Sequence, residues 1–305
     1  MTAAPGNIYD LGYRRYEGAR LGRAVVALGL LGHTLREAYG IGRGGRAKIT
    51  PFLLLILNAL PALLIVGVQA LANQIGAGVP SGPARLADQL PIRHDTYQNV
   101  TSTLVLLFCA AQAPELFGRD QRFGVLPLYF SRVLTRVDYA LARTGGLFLA
   151  VLVVTIVPHL ILTVGSLLTA ADPLTGLADD LPDVPRYLAV SVLASGLLAG
   201  IAAVISAWTP RRAYATATII GVFIVAPIVV ALLSRLAVGD IARIAHLISP
   251  TDVVDGLNAA IFGTIAESRA VVTAALPGWI YISVTLVAIA GALALIVRRY
   301  LTVAV

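Results

Sequence analysis

Residues 144–171 read TGGLFLAVLVVTIVPHLILTVGSLLTAA, 28 residues without one Asp, Glu, Lys or Arg. A bilayer's hydrocarbon core, about 30 Å thick, is crossed by a helix of about 20 apolar residues. This window is long enough. Five others share its character: 49–84, 96–114, 187–210, 213–234 and 270–297. The first is too long for one crossing, and Gly76, Gly78, Pro80, Gly82 and Pro83 mark its tail as loop. Six spans follow, near 50–73, 97–114, 145–170, 187–208, 213–234 and 276–297. The expected fold class is an all-α integral membrane protein with a cytoplasmic N-terminal segment, 1–48, and a six-helix transmembrane domain, 49–305.

Composition agrees. Of 305 residues, 58% are hydrophobic and 13% charged, about half the ~25% of soluble domains. The mean hydropathy is +0.84. These numbers argue against a water-soluble enzyme. The net charge of +7 does not point to nucleic acid, because the basic residues follow the membrane topology. With the N-terminus inside, 17 of the 23 basic residues fall in inner segments and 6 in outer ones, while the acidic residues divide 6 to 10. That asymmetry predicts both termini inside. The single cysteine, Cys109, allows no internal disulfide and no Cys-based zinc site. The Ala, Arg, Val, Leu and Gly bias fits a high-GC genome.

The first 23 residues carry charges of both signs, and the apolar run 24–32 is nine residues long with no A-x-A site after it, unlike a cleaved signal. From Arg23 to Glu37, Val25, Val26, Leu28, Leu31 and Leu35 alternate with Arg23, His33 and Arg36. The pattern predicts a helix in the inner interface, or else a cytosolic helix packed on a partner. Between spans five and six, the apolar pieces 244–251 and 256–266 are too short to cross and are broken at Ser249, Pro250, Asp252, Asp255 and Gly256. They predict short broken helices, either dipping into the outer leaflet or forming an ordinary outer loop.

Most chemical motifs fail on context. Gly40, Gly42 and Gly45 fit G-x-G-x-x-G, but no strand precedes them, so a hinge is expected rather than a dinucleotide site. Lys48, the only lysine, follows Ala47 and precedes Ile49, which rules out a P-loop. Ser195-Gly196 lacks the glycine context of a membrane serine protease. His159 is the one histidine well inside a span, and no carboxylate lies in any predicted span. An ionisable group there is either functional, lining a passage, or, as the better reading beside Pro158, neutral and bonded to a carbonyl that the proline frees. Asn58, Gln69, Asn73 and Gln112 either line a passage or bond between helices. Gly196 and Gly200 form a G-x-x-x-G that permits close helix packing without naming the partner. Pro61, Pro158 and Pro227 lie within spans and are expected to kink them.

The second inner segment is the most informative. From Pro114 to Tyr139 it begins acidic and glycine-punctuated. A short amphipathic helix follows, with Leu126, Tyr129, Phe130, Val133 and Leu134 among Arg132 and Arg136. Apolar side chains beside basic ones on an inner face suggest a docking surface.

In this loop the chain resembles the permease subunits of ABC-2 type transporters. Arg119, Asp120, Gly124, Leu126, Leu128, Ser131, Arg132, Arg136 and Tyr139 follow that family's order. The opening Ile8–Gly18 and the stretch Leu247-Ile248-Ser249-Pro250 are similar to bacterial members. The resemblance implies a non-enzymatic permease in the bacterial inner membrane, paired with a second permease copy, identical or a close paralogue. Two separate ATPase subunits would carry ATP and Mg, and this chain would bind no cofactor or metal. It also implies a coupling helix around 124–136 anchored by Leu126, Tyr129 and Phe130, with charged contacts from Arg119, Asp120, Arg132 and Arg136. The implied cargo is amphipathic or lipid-like, moved outward between two copies along spans two and five. Two other classes remain open at this point: a permease-like subunit in signalling or assembly, and an integral membrane enzyme.

Overall fold

The computed structural model describes residues 18, 22–75, 93–131, 133–170, 176, 178, 180–236 and 239–303, with the side chains of 72–75 outside the description. Arg132, the Asn73 side chain, the stretch 8–17 and the glycine- and proline-rich loop after the first span lie outside the described residues. Among those described there is no strand. The helices are α1 (Arg23–Ala38), α2 (Gly45–Ile75), α3 (His94–Arg122), α4 (Leu126–Phe130), α5 (Arg136–Thr169), α6 (Asp183–Trp208), α7 (Arg212–Leu236), α8 (Asp240–Ala245), α9 (Pro250–Phe262), α10 (Arg269–Ala274) and α11 (Gly278–Thr302). A 3-10 turn, His246–Ile248, joins α8 to α9.

Six of these, α2, α3, α5, α6, α7 and α11, are long and apolar enough to cross a membrane. The chain is a multi-pass membrane protein on that basis. Within the apolar windows of α3 and α6, 56% of residues are buried by the chain itself, against 17% in α7 and 22% in α11. α3 and α6 therefore form the centre and α7 and α11 the flanks. Large apolar side chains such as Ile224, Ile228 and Leu232 on α7 and Val287 on α11 face outward, as lipid-facing helices require.

Contacts between helix ends fix the alternation. Arg43 just before α2, Glu115 near the end of α3 and Arg212 at the start of α7 share ion pairs. Gln121 of α3 donates to the Ala207 carbonyl of α6 at 3.0 Å, and Arg136 of α5 to the Leu301 carbonyl of α11 at 2.6 Å. One end of the bundle thus gathers the start of α2, the end of α3, the start of α5, the end of α6, the start of α7 and the end of α11. This is the end holding the basic residues that the charge count assigns to one side.

Close packing is set by small residues. A Cβ on Gly196 would lie 2.8 Å from Ile289 Cδ1, and one on Gly200 would lie 3.0 Å from the Ala292 Cβ. The G-x-x-x-G of α6 therefore seats α11, the partner that spacing alone did not name. Gly146 admits Thr34 and Leu31 of α1 against α5 in the same way. α1 buries Leu30, Thr34, Glu37 and Ala38 and leaves Val25 and Leu28 exposed. The surface it packs on belongs to this same chain.

Three expectations need correction. The second span does not stop at 114. α3 runs eight residues further and carries Arg119 and Asp120 as helix residues, because Pro114 interrupts neither its apolar face nor its final turns. Between α7 and α11 the broken helices are present, but Asp252, Asp255 and Gly256 lie inside α9 rather than between pieces. Ser249 caps α9 by accepting from the Asp252 amide at 3.3 Å, and Pro250 takes the first helical position. The turn at Gly40 is no loose hinge. Its φ of +65° suits glycine, and a Cβ there would strike the Ala47 backbone at 2.6 Å.

Candidate functional site

At the basic end, charges of opposite sign meet from four helices, α1, α3, α5 and α7, and from Arg43 in the turn before α2. Arg143 on α5 is 1% exposed. Its Nη1 donates to Glu37 of α1 at 2.6 Å, and its Nη2 pairs with Asp120 of α3. Glu37 also holds Arg43, and Arg43 Nη1 reaches Glu115 at 3.1 Å. Glu115 in turn meets Arg212 of α7 at 3.2 Å. The Tyr139 hydroxyl donates to Asp120 at 2.6 Å, and its ring stands edge-on to Tyr300 of α11 at 5.0 Å. Buried charges persist only when paired and hydrogen-bonded. This network pairs its buried charges across helices, with the Arg143 Nε–H left without a partner, and so ties the bundle end together.

The loop rests on this platform. Gly124, with φ +62°, turns the chain out of α3, and the Val125 amide donates back to the Asp120 carbonyl at 3.1 Å. α4 spans only five residues, not 124–136. Its Leu126 is buried, while Tyr129 and Phe130 pack on Tyr139 at 5.3 and 5.7 Å. Burial raises the Tyr129 phenol above its ordinary pKa. The Ser131 hydroxyl is turned to the Leu128 carbonyl at 3.1 Å, and Arg136 lies over the Phe130 ring. At the start of α5, Thr135 and Asp138 cap each other, and Arg23 of α1 grips Asp138 at 2.6 and 2.9 Å.

These placements redistribute the expected roles. Leu126, Tyr129 and Phe130 face the protein, and the apolar groups presented outward are Phe123, Leu128 and Val133, which are 66%, 67% and 54% exposed. Asp120 is committed to Arg143 and Tyr139 and is not an external contact. Arg136 holds the end of α11. Arg119 alone of the described charged residues in the loop motif stays largely exposed, 3.7 Å from Glu37. Sequence reading missed Glu37, Arg143 and Tyr300. The available signals were a lone acid within the basic stretch before the first span and an arginine abutting the longest single-span window.

A cavity of about 770 Å³ opens beside this network, between α1, the end of α3 and α4. Four guanidiniums line it, those of Arg36, Arg43, Arg119 and Arg143, against the carboxylates of Glu37 and Asp120.

Toward the other end, four helices share a buried aromatic cluster. His159 of α5 lies 3.1 Å from His94 of α3, Nδ1 to Nδ1, and stacks on Tyr187 of α6 at 4.9 Å. The expected bond to a carbonyl freed by Pro158 is replaced by this imidazole pair, because the start of α3 reaches His159. Tyr97 enters α2 just past Pro61. Its hydroxyl accepts from the Ala62 amide at 3.4 Å and donates to the Asn58 carbonyl, standing between the two ends of a helical hydrogen bond. The Asn58 amide donates to the Val154 carbonyl at 2.8 Å, so Asn58 bonds between helices. Gln112 is buried on α3 and Gln69 half-buried on α2, neither brought to this cluster by a hydrogen bond. Ser195 meets Thr155 at 3.0 Å across α6 and α5. Among the described residues, no group of three or more His, Cys, Asp or Glu is placed to hold a metal.

No protein-family model matches this chain, and no characterised protein matches it.

Proposed function

We propose that this chain is the membrane-spanning subunit of an ATP-driven exporter, working with a separate ATPase. The carrying observation is the loop at the basic end. α4 is too short to be stable alone, yet it is braced from beneath by Tyr139, itself backed by Tyr300, and the loop presents Phe123, Leu128 and Val133 outward. A rigid platform with an apolar tip and a basic rim suits protein docking. Six long apolar helices supply the membrane domain, and the sequence order of the loop resembles the ABC-2 permeases. In this reading both termini lie in the bacterial cytoplasm. Two permease copies pair and two ATPases dock beneath them, holding ATP and Mg. This chain performs no chemistry. Substrate, of amphipathic or hydrophobic character, passes between the copies along α3 and α7. The ATPases drive export by binding one packing of the bundle more tightly than the other.

The test is capture of a co-expressed soluble protein bearing G-x-x-x-x-G-K-[ST] from a neighbouring gene. Leu128→Asp is expected to abolish capture while leaving thermal stability unchanged. Sidedness is read independently with Ser131→Cys, since Cys109 is buried. Labelling of that cysteine from outside intact cells, or undiminished capture by Leu128→Asp, overturns the assignment.

A further inference from the structure

The cavity between α1, α3 and α4 carries more positive charge than its own carboxylates neutralise. Four guanidiniums face two carboxylates, an excess of two before His33 is counted. Glu115, behind the cavity, takes part of the Arg43 charge at 3.1 Å but is shared with Arg212 at 3.2 Å. Glu37 is already bound to Arg43 and Arg143, so its 3.7 Å approach to Arg119 leaves that guanidinium largely unsatisfied. Arg36 makes no ion pair among the described residues. Arg143, buried at the back of the cavity, has an Nε–H without a hydrogen-bond partner. Unpaired buried donors and uncompensated guanidiniums are costly unless an anion completes them.

We infer that this cavity binds a phosphate group, gripped by Arg36 and Arg119 at the mouth and backed by Arg143. Phosphate oxygens match the forked donors of arginine better than a single carboxylate does. The volume, about 770 Å³, exceeds what a bare phosphate needs and admits a lipid headgroup. The position favours that source: the cavity sits where the spans end, lined in part by the exposed apolar Ile41, at the level where basic pockets between helices meet anionic headgroups. A free phosphate offers the same chemistry. The cavity shares Phe123 with the proposed docking tip, and its test is made on this chain without an ATPase, so the outcome is separable from docking.

The experiment is calorimetric titration of the purified full chain in a non-ionic detergent. The probes are inorganic phosphate, dihexanoyl phosphatidylglycerol and, as the zwitterionic control, dihexanoyl phosphatidylcholine. At least one of the first two is expected to bind, with the control weaker. Binding of phosphatidylglycerol alone identifies a headgroup site, and binding of inorganic phosphate as well identifies a site for phosphate itself. Arg36→Gln with Arg119→Gln is expected to weaken binding about tenfold, which is about 1.4 kcal/mol, whereas Arg235→Gln with Arg269→Gln leaves it intact. Should the first double variant fail to fold, Arg36→Gln alone carries the test, since it breaks no ion pair. Binding of neither anion, equal binding of the control, or wild-type affinity in the Arg36 variants overturns the inference.

Discussion

Arg143 Nη1 lies 2.6 Å from Glu37 Oε2, joining α5 to α1 with both residues buried. Removing one member of a buried ion pair strands the other and costs about 3–5 kcal/mol, whereas replacing the whole set costs far less. Arg143→Met is therefore expected to lower the unfolding midpoint in detergent sharply. Glu37→Gln and Asp120→Asn added to it are expected to restore much of the loss. Thermal melts of the single, double and triple variants check this. Simple additivity would show that the three groups do not act together.

Gly196 sets the distance between α6 and α11. Gly196→Val places its side chain against Ile289 and is expected to destabilise by about 1–3 kcal/mol, the usual range for overpacking. Ile289→Ala in the same chain is expected to recover part of that loss. The measurement is again the unfolding midpoint, and no recovery would mean that the clash lies elsewhere.

His94 and His159 share one hydrogen bond across α3 and α5. His159→Phe leaves the His94 Nδ1 buried without its partner, at a cost of about 1–3 kcal/mol, while Phe at both positions is expected to cost less than the single change. A double variant no better than the single one would show that ring packing against Tyr187, not the bond, is what the cluster needs.

Asp252, on α9 outside the six spans, has its carboxyl pKa raised by burial, with His246 at 3.3 Å opposing that rise. The folded chain therefore holds this proton more tightly than the unfolded chain. Its contribution to stability is fully present below the ordinary carboxylate value of about 3.9 and is lost as pH rises through the raised value. Asp252→Asn removes that titration. Unfolding followed across the acidic range is expected to give a stability profile that falls less with pH in the variant than in the parent. Parallel profiles would show that Asp252 is not the group responsible.

The spans were legible in the sequence because apolar length is a local property. Residues 144–171 read the same way whatever surrounds them. The charged network was not legible. Glu37, Asp120 and Arg143 are separated by more than a hundred residues at the extremes, and nothing local distinguishes an arginine paired across helices from one in solvent. The loop shows both cases. Its order from Arg119 to Tyr139 marked the region, but which apolar groups point outward depends on Tyr139 and Tyr300 filling the inner side. Apolar character alone therefore does not separate Leu126, which is buried, from Leu128, which is exposed. The end of α3 at Arg122 is hidden for the related reason that a charge ends an apolar window without ending a helix.

The last residues of α11 lie under the loop, with Tyr300 against Tyr139 and the Leu301 carbonyl held by Arg136. The last turn of α11 is in consequence no idle stretch on which to hang a tag. A bulky insertion close to Thr302 would disturb the junction with Tyr139 and Arg136, and a handle for purification or imaging is better introduced in a segment remote from it.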